Sequence, residues 1–225
     1  MELTLSEKLL LIALDDKKGH FVNMGTSMQF GLAGAVLMEL ASLKKIDVRE
    51  KVVHLIDRKL VNSTIINEAI SLIAESSKPK KLDRWISKLS SKSEKWKKII
   101  LKSLVHKHIL IEKQKRFLGI IPYKRYPMVN PTYENKIKSQ LRNIITRDAQ
   151  AEEHELMLIG LIHSCDLSSE LFTDRHERKE AKKKMKELSA HNQYSKVIDE
   201  TQAAVTAAIV ASLAASVAIT AAVSS

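Results

Sequence analysis

The chain has 225 residues, 44% hydrophobic and 28% charged, with six Gly and four Pro; this excludes a disordered, collagenous or linker-dominated chain and predicts one domain over 1–225. A formal net charge of +11 favours nucleic acid, anionic membrane or acidic protein as partner. The single cysteine, Cys165, rules out an internal disulfide.

In chain order, "MELTLSEKLLLIALDD" lacks a basic lead and a small-residue cleavage site and is not read as a signal peptide. Thr4 and Glu7 form a capping box that starts a helix near residue 5, ending at a turn with Gly19. Met28 to Leu43 reads as a second helix, where Gly31 and Gly34 admit close backbone approach. Ile46 to Val48 against Val52 to Ile56 reads as a short hairpin, followed by a helix from Asn67 to Glu75.

Pro79 suits the first turn of the next helix, whose inward face is Leu82, Trp85, Ile86 and Leu89. Another helix runs from about Glu94 to His106, burying Trp96, Ile99, Ile100 and Leu104, with Lys95, Lys97, Lys98 and Lys102 outward. "HILIEKQKRFLGIIPY" reads as two strands with a basic turn. Helices resume over roughly 132–147, 151–163 and 175–188.

Residues from Thr201 onward are uncharged, and Val205, Ile209, Leu213 and Val217 recur every fourth position. That stripe predicts a buried helix at about 201–223 rather than a membrane span, because Ala-rich surface gains little from lipid. The expected fold class is mainly α: a helical domain with short β-hairpins, one protruding.

Chemistry is sparse. No glycine-rich phosphate loop, HExxH, CxxC or GxSxG occurs, and no enzyme, cofactor or metal is expected. His163 and Cys165 lack an orienting third group, His106 and His108 lack further ligands, and Asp15 and Asp16 sit beside Lys17 and Lys18 as a solvated turn. Trp85 and Trp96 lie on apolar stripes and read as core.

The charge is concentrated. Lys78 to Arg125 holds sixteen Lys/Arg against three acids, Asp83, Glu94 and Glu112, whereas residues 1–77 hold nine bases and ten acids. Within this segment Phe117, Leu118, Ile120 and Ile121 are bracketed by Lys115, Arg116, Lys124 and Arg125. A hairpin that touches an anionic bilayer accounts for both features. A winged-helix nucleic-acid binder accounts for the bases, although its helix lacks Arg, Asn and Gln for base edges. A protein-interaction scaffold without lipid binding is the third reading, and a second copy of the chain is a further partner the sequence admits.

Five segments together resemble the Golgi phosphoprotein 3 (GPP34) family: "LTLSEKLLLIALDDKKG", "GLAGAVLMELASLKKI", "LVHKHILIEKQKRFLGIIPYKRYPM", "LMLIGLIHSCDL" and "AAVTAAIVASLAASVAI". The resemblance covers nearly the whole chain in the family's order. It implies a peripheral membrane adaptor that recognises anionic lipid, typically phosphatidylinositol-4-phosphate, and recruits cytosolic tails of membrane enzymes. Peripheral association from the cytoplasm is implied, at the Golgi if the source is eukaryotic. The expected headgroup residues are Lys124, Arg125, Lys136, Lys138 and Arg142; the expected membrane-contacting hairpin residues are Lys115, Arg116, Phe117, Leu118, Ile120 and Ile121. The family's pocket Trp and Arg are replaced here by Met24 and Ala33, which lack the stacking face and the bidentate phosphate grip.

Overall fold

The computed structural model describes the backbone of residues 2–14, 21, 25–117, 120–190 and 196–223, and their side chains apart from Phe117, Ile121, Ala190, Lys196, Val197 and 212–223. The expected turn at Gly19, the Asp15/Asp16 pair, Met24, Leu118 and the side chains of Leu213 and Val217 lie outside the described residues.

The first helix, α1 (Leu5–Ile12), starts as expected: the Glu7 amide donates to Thr4 Oγ1 at 3.2 Å and the Thr4 amide donates to Glu7 Oε2 at 2.9 Å. These bonds satisfy two amides that have no partner inside the helix. The next helix, α2 (Thr26–Ser42), is buried over most of its length and forms the axis of the molecule. A helix apolar all round belongs inside a core.

Strands β1 (Ile46–Arg49) and β2 (Val52–Leu55) pair antiparallel through Glu50 and Lys51, both at positive φ. Two left-handed residues match the twist of a two-residue hairpin, here without the glycine that usually supplies them. Helix α3 (Thr64–Ala74) starts three residues before the expected Asn67, because the Ser63 hydroxyl accepts from the Ile66 amide; Asn67 is spent on both backbone groups of Val61. Pro79 is likewise not in a helical first turn. It precedes strand β3 (Lys80–Lys81), which adds to β2 as a third strand before α4 (Leu82–Ser90) begins.

Helix α5 (Ser93–His106) leads into a separate two-stranded sheet, β4 (Lys113–Phe117) and β5 (Ile121–Arg125). Then come α6 (Thr132–Arg147), α7 (Glu153–Ser164), a 3₁₀ turn at Ser168–Glu170, α8 (Arg175–Ala190) and α9 (Lys196–Val223). The fold is mainly α with short hairpins, as expected. The last helix begins five residues before the expected Thr201, and Val205 and Ile209 of its stripe are buried.

Small residues set how closely α2, α7 and α9 approach. A Cβ on Gly34 would overlap Val205 Cγ2, and one on Gly31 would overlap Cys165 Sγ. On α7, Gly160 leaves room for Gln202, whose amide donates to Ser164 Oγ at 2.9 Å. Trp85 and Trp96 are both fully buried, which bears out their reading as core. No helix among the described residues is long and apolar enough to cross a membrane.

Candidate functional site

Helix α5 is oriented by polar bonds on its inner side and on one flank. On its inner side Ser103 Oγ donates to Glu7 Oε1 at 2.6 Å, and Lys107 Nζ reaches Glu7 Oε2 at 2.6 Å. On its flank the Trp96 indole donates to Glu68 Oε2 at 3.0 Å while Lys95 bridges Glu68 Oε1 at 2.8 Å. Burial opposes ionisation of Glu68, but the bonds from Lys95 and Trp96 prevail and hold its carboxyl below the usual range.

With that face fixed inward, Lys95, Lys98, Lys102 and His106 recur at three- and four-residue intervals along the exposed face. Lys97 departs from expectation. It is only 17% exposed, bridges Glu94 at 2.8 Å and lies 5.4 Å from the Phe21 ring centroid. A long stem lying over an aromatic face removes the charge from open solvent.

The stripe on α5 runs toward the β4–β5 hairpin. Glu112, just before β4, bridges Lys124 at 2.7 Å and accepts from the Tyr126 hydroxyl at 3.1 Å. The Lys124 bond chiefly, then the Tyr126 bond and the field of Lys102, hold the Glu112 carboxyl low. Burial together with the Glu112 bond pushes the Tyr126 phenol up to about 12. Glu112 thus ties the base of the hairpin and feels the end of the α5 stripe.

Below the strands the chain is anchored by the Ile111 amide to the Pro127 carbonyl at 3.0 Å and the Val129 amide to the Ile109 carbonyl at 2.9 Å. Leu110 is buried and bridges Met128. Among the described residues the hairpin pairs only within its own two-stranded sheet, in the register Lys113 with Arg125, Lys115 with Tyr123 and Phe117 with Ile121.

Of the expected contact residues, Lys115, Arg116 and Ile120 are exposed, Ile120 at 81%. An isoleucine so bare at a turn between bases contributes nothing to the core. Leu118 and the side chains of Phe117 and Ile121 lie outside the described residues.

The five expected headgroup residues do not share one cleft. Lys138 and Arg142, one turn apart on α6, line a cleft of about 440 Å³ with Ser139, Arg147, Glu170 and Glu177. Lys138 is 16% exposed and held at 2.6 Å by the buried Glu134; Arg142 lies 3.5 Å from Glu177 and 5.4 Å from the Phe172 ring centroid. Lys124, Arg125 and Lys136 do not line that cleft. Lys136 is exposed, two helical positions and so about 200° round from Lys138, and Arg125 stacks 5.3 Å from the Tyr123 ring centroid. Ala33 is fully buried in α2.

Sequence reasoning missed the Glu68 and Glu7 links that orient α5, because each joins residues far apart in the chain. Cys165 is fully buried, and burial pushes its thiol up to about 12. Burial, with Lys182 and Lys186 nearby, holds the neighbouring His163 below its usual value. Among the described residues no group of three His, Cys, Asp or Glu side chains is placed to hold a metal.

The model of the family described as Golgi phosphoprotein 3 (GPP34) matches residues 5–211. The chain belongs to the GPP34 family. Similar curated proteins include vacuolar protein sorting-associated protein 74 of Schizosaccharomyces pombe, 29% identical over 165 residues that cover 64% of this chain and 48% of the relative. The protein of the same name from Eremothecium gossypii is 24% identical over 176 residues, covering 68% of this chain and 53% of the relative. This GPP34 chain therefore spans about half the length of the curated relatives it matches.

Proposed function

We propose that this GPP34 chain is a peripheral membrane adaptor that docks on anionic lipid through the outer lysines of α5 and the β4–β5 hairpin. The observation that carries it is Ile120, 81% exposed at the turn of a self-paired hairpin whose neighbours Lys115 and Arg116 are exposed as well. Each base near an anionic surface contributes about 1 kcal/mol, so Lys98, Lys102, Lys115 and Arg116 attract without anchoring firmly. The tip supplies the apolar insertion that charge alone lacks.

A phosphoinositide such as phosphatidylinositol-4-phosphate is the proposed anionic lipid, met at the hairpin by Lys124 and Arg125; Lys138 and Arg142 line a separate cleft on α6 and Lys136 lies on another face of that helix, so the five do not grip one headgroup together. By analogy with its family, the adaptor works at the cytoplasmic face of the Golgi in a eukaryote and holds tails of membrane enzymes there.

Vesicle co-sedimentation tests this reading. The protein pellets with phosphatidylcholine vesicles containing phosphatidylserine or phosphatidylinositol-4-phosphate and stays in solution with phosphatidylcholine alone. Ile120→Ser and the double variant Lys98→Glu/Lys102→Glu each lower the bound fraction. Equal pelleting on neutral and anionic vesicles, or duplex DNA binding that the same variants abolish while pelleting is untouched, would overturn it.

A further inference from the structure

Helix α8 carries a second concentration of bases, remote in sequence from the middle segment and assigned no role above. Its buried side is Ala181 and Met185. Its edge toward α6 is tied by two ion pairs, Glu177 to Arg142 at 3.5 Å and Lys184 to Asp148 at 2.7 Å. With those two sides committed, the 100° step per residue places Arg175, Lys179, Lys182, Lys183 and Lys186 together on one arc of about 100°.

Eleven residues separate the ends of that row, so it extends about 16 Å along the helix. Lys182 leans on Asp166 at 2.7 Å and Lys183 on Glu180 at 2.9 Å; Arg175, Lys179 and Lys186 are exposed and make no ion pair among the described residues. The positive field reaches beneath the row, where it helps hold His163 of α7 below its usual value.

We propose that this row is a docking surface for a linear acidic segment of a protein partner, a helix or extended strand with carboxylates along one side. Two features favour a line-shaped protein over a bilayer. No large apolar side chain of α8 is exposed, so nothing on it inserts into lipid. Beyond Lys183 the exposed surface turns acidic at Glu180 and Glu187, which a broad anionic plane would have to cover and a narrow partner avoids. Burial of Ala181 and Met185 fixes the roll of α8 before binding, and exposed charges on a fixed frame raise the association rate and set register.

The test is fluorescence anisotropy with a labelled helical peptide carrying glutamates along one side, at low and at physiological ionic strength. The wild-type chain binds, more weakly as salt rises. The triple variant Lys179→Glu/Lys183→Glu/Lys186→Glu weakens binding about tenfold or more, whereas Lys98→Glu/Lys102→Glu on α5 combined with Lys113→Glu on β4, with the same change in net charge, has little effect. The milder Lys179→Gln/Lys186→Gln variant weakens it in the same direction, and unchanged circular dichroism shows that the helix persists.

Equal loss from the α5–β4 and α8 variants would reduce the effect to net charge and overturn the proposal, as would no binding at low salt. Reversal on α8 that spares the peptide and instead abolishes pelleting with phosphatidylserine vesicles, or duplex RNA binding, would assign the row to lipid or nucleic acid and overturn it equally. The hairpin and α5 variants of the membrane experiment touch none of these residues, so the two readings fail separately.

Discussion

Glu39 lies in α2 among apolar neighbours and is 9% exposed. It accepts from Ser6 Oγ at 3.2 Å and also takes a bond from the Leu5 backbone amide, with Glu7 and Lys8 as the nearest charges. Burial outweighs both bonds and raises its carboxyl from 4.5 to about 7. Below pH 4.5 the group is protonated in the folded and unfolded chain alike, so it exerts no pH-dependent effect. As pH rises toward 7 the unfolded chain releases the proton while the folded chain retains it, and stability falls. At about 1.4 kcal/mol per pH unit of difference, the loss approaches 3 kcal/mol above pH 7.

Glu39→Gln keeps an acceptor for both bonds and removes the titration. The variant should gain about 2–3 kcal/mol over the wild type between pH 4.5 and pH 8, read as the difference in urea midpoints at the two pH values. Other titrating groups are common to both proteins and largely cancel. A wild-type to variant difference that does not change with pH would refute the assignment of a neutral buried carboxyl.

Three further outcomes are expected. Gly34→Ala should destabilise by about 1–3 kcal/mol, because its Cβ would meet Val205; Val205→Ala should recover much of that loss in the double variant, seen by thermal melting. Lys107→Met leaves Glu7, whose side chain is 5% exposed, without its counter-charge and should cost about 3 kcal/mol in denaturant unfolding, with Ser103 and Thr4 still bonded to the carboxylate. Cys165, buried with its thiol raised to about 12, should resist a thiol reagent at pH 8 in the native protein and react at once in denaturant; rapid native labelling would contradict the packing against Gly31.

Much of this architecture was legible from local pattern. The Thr4 and Glu7 capping box, the apolar α2, both tryptophans and the β1–β2 hairpin each follow from local spacing; in the second hairpin the expected basic turn is wrong, because Lys113, Lys115 and Arg116 lie in strand β4, paired with β5. Boundaries were less so, since Ser63 and Asn67 compete for neighbouring backbone groups and only the pairing of β3 with β2 shows that Pro79 precedes a strand.

The charge excess and the apolar hairpin turn were written in the sequence as well, and they alone pointed to a polyanionic surface. Tertiary structure decided which bases remain available. Lys97 is drawn in by Phe21 and Glu94, Lys107 by Glu7 and Lys138 by Glu134, while the α8 row faces outward because Ala181 and Met185 turn the opposite side of that helix into the core. A count of lysines is a property of the chain, but the field a partner meets depends on where distant carboxylates fall in space, and folding alone brings those together.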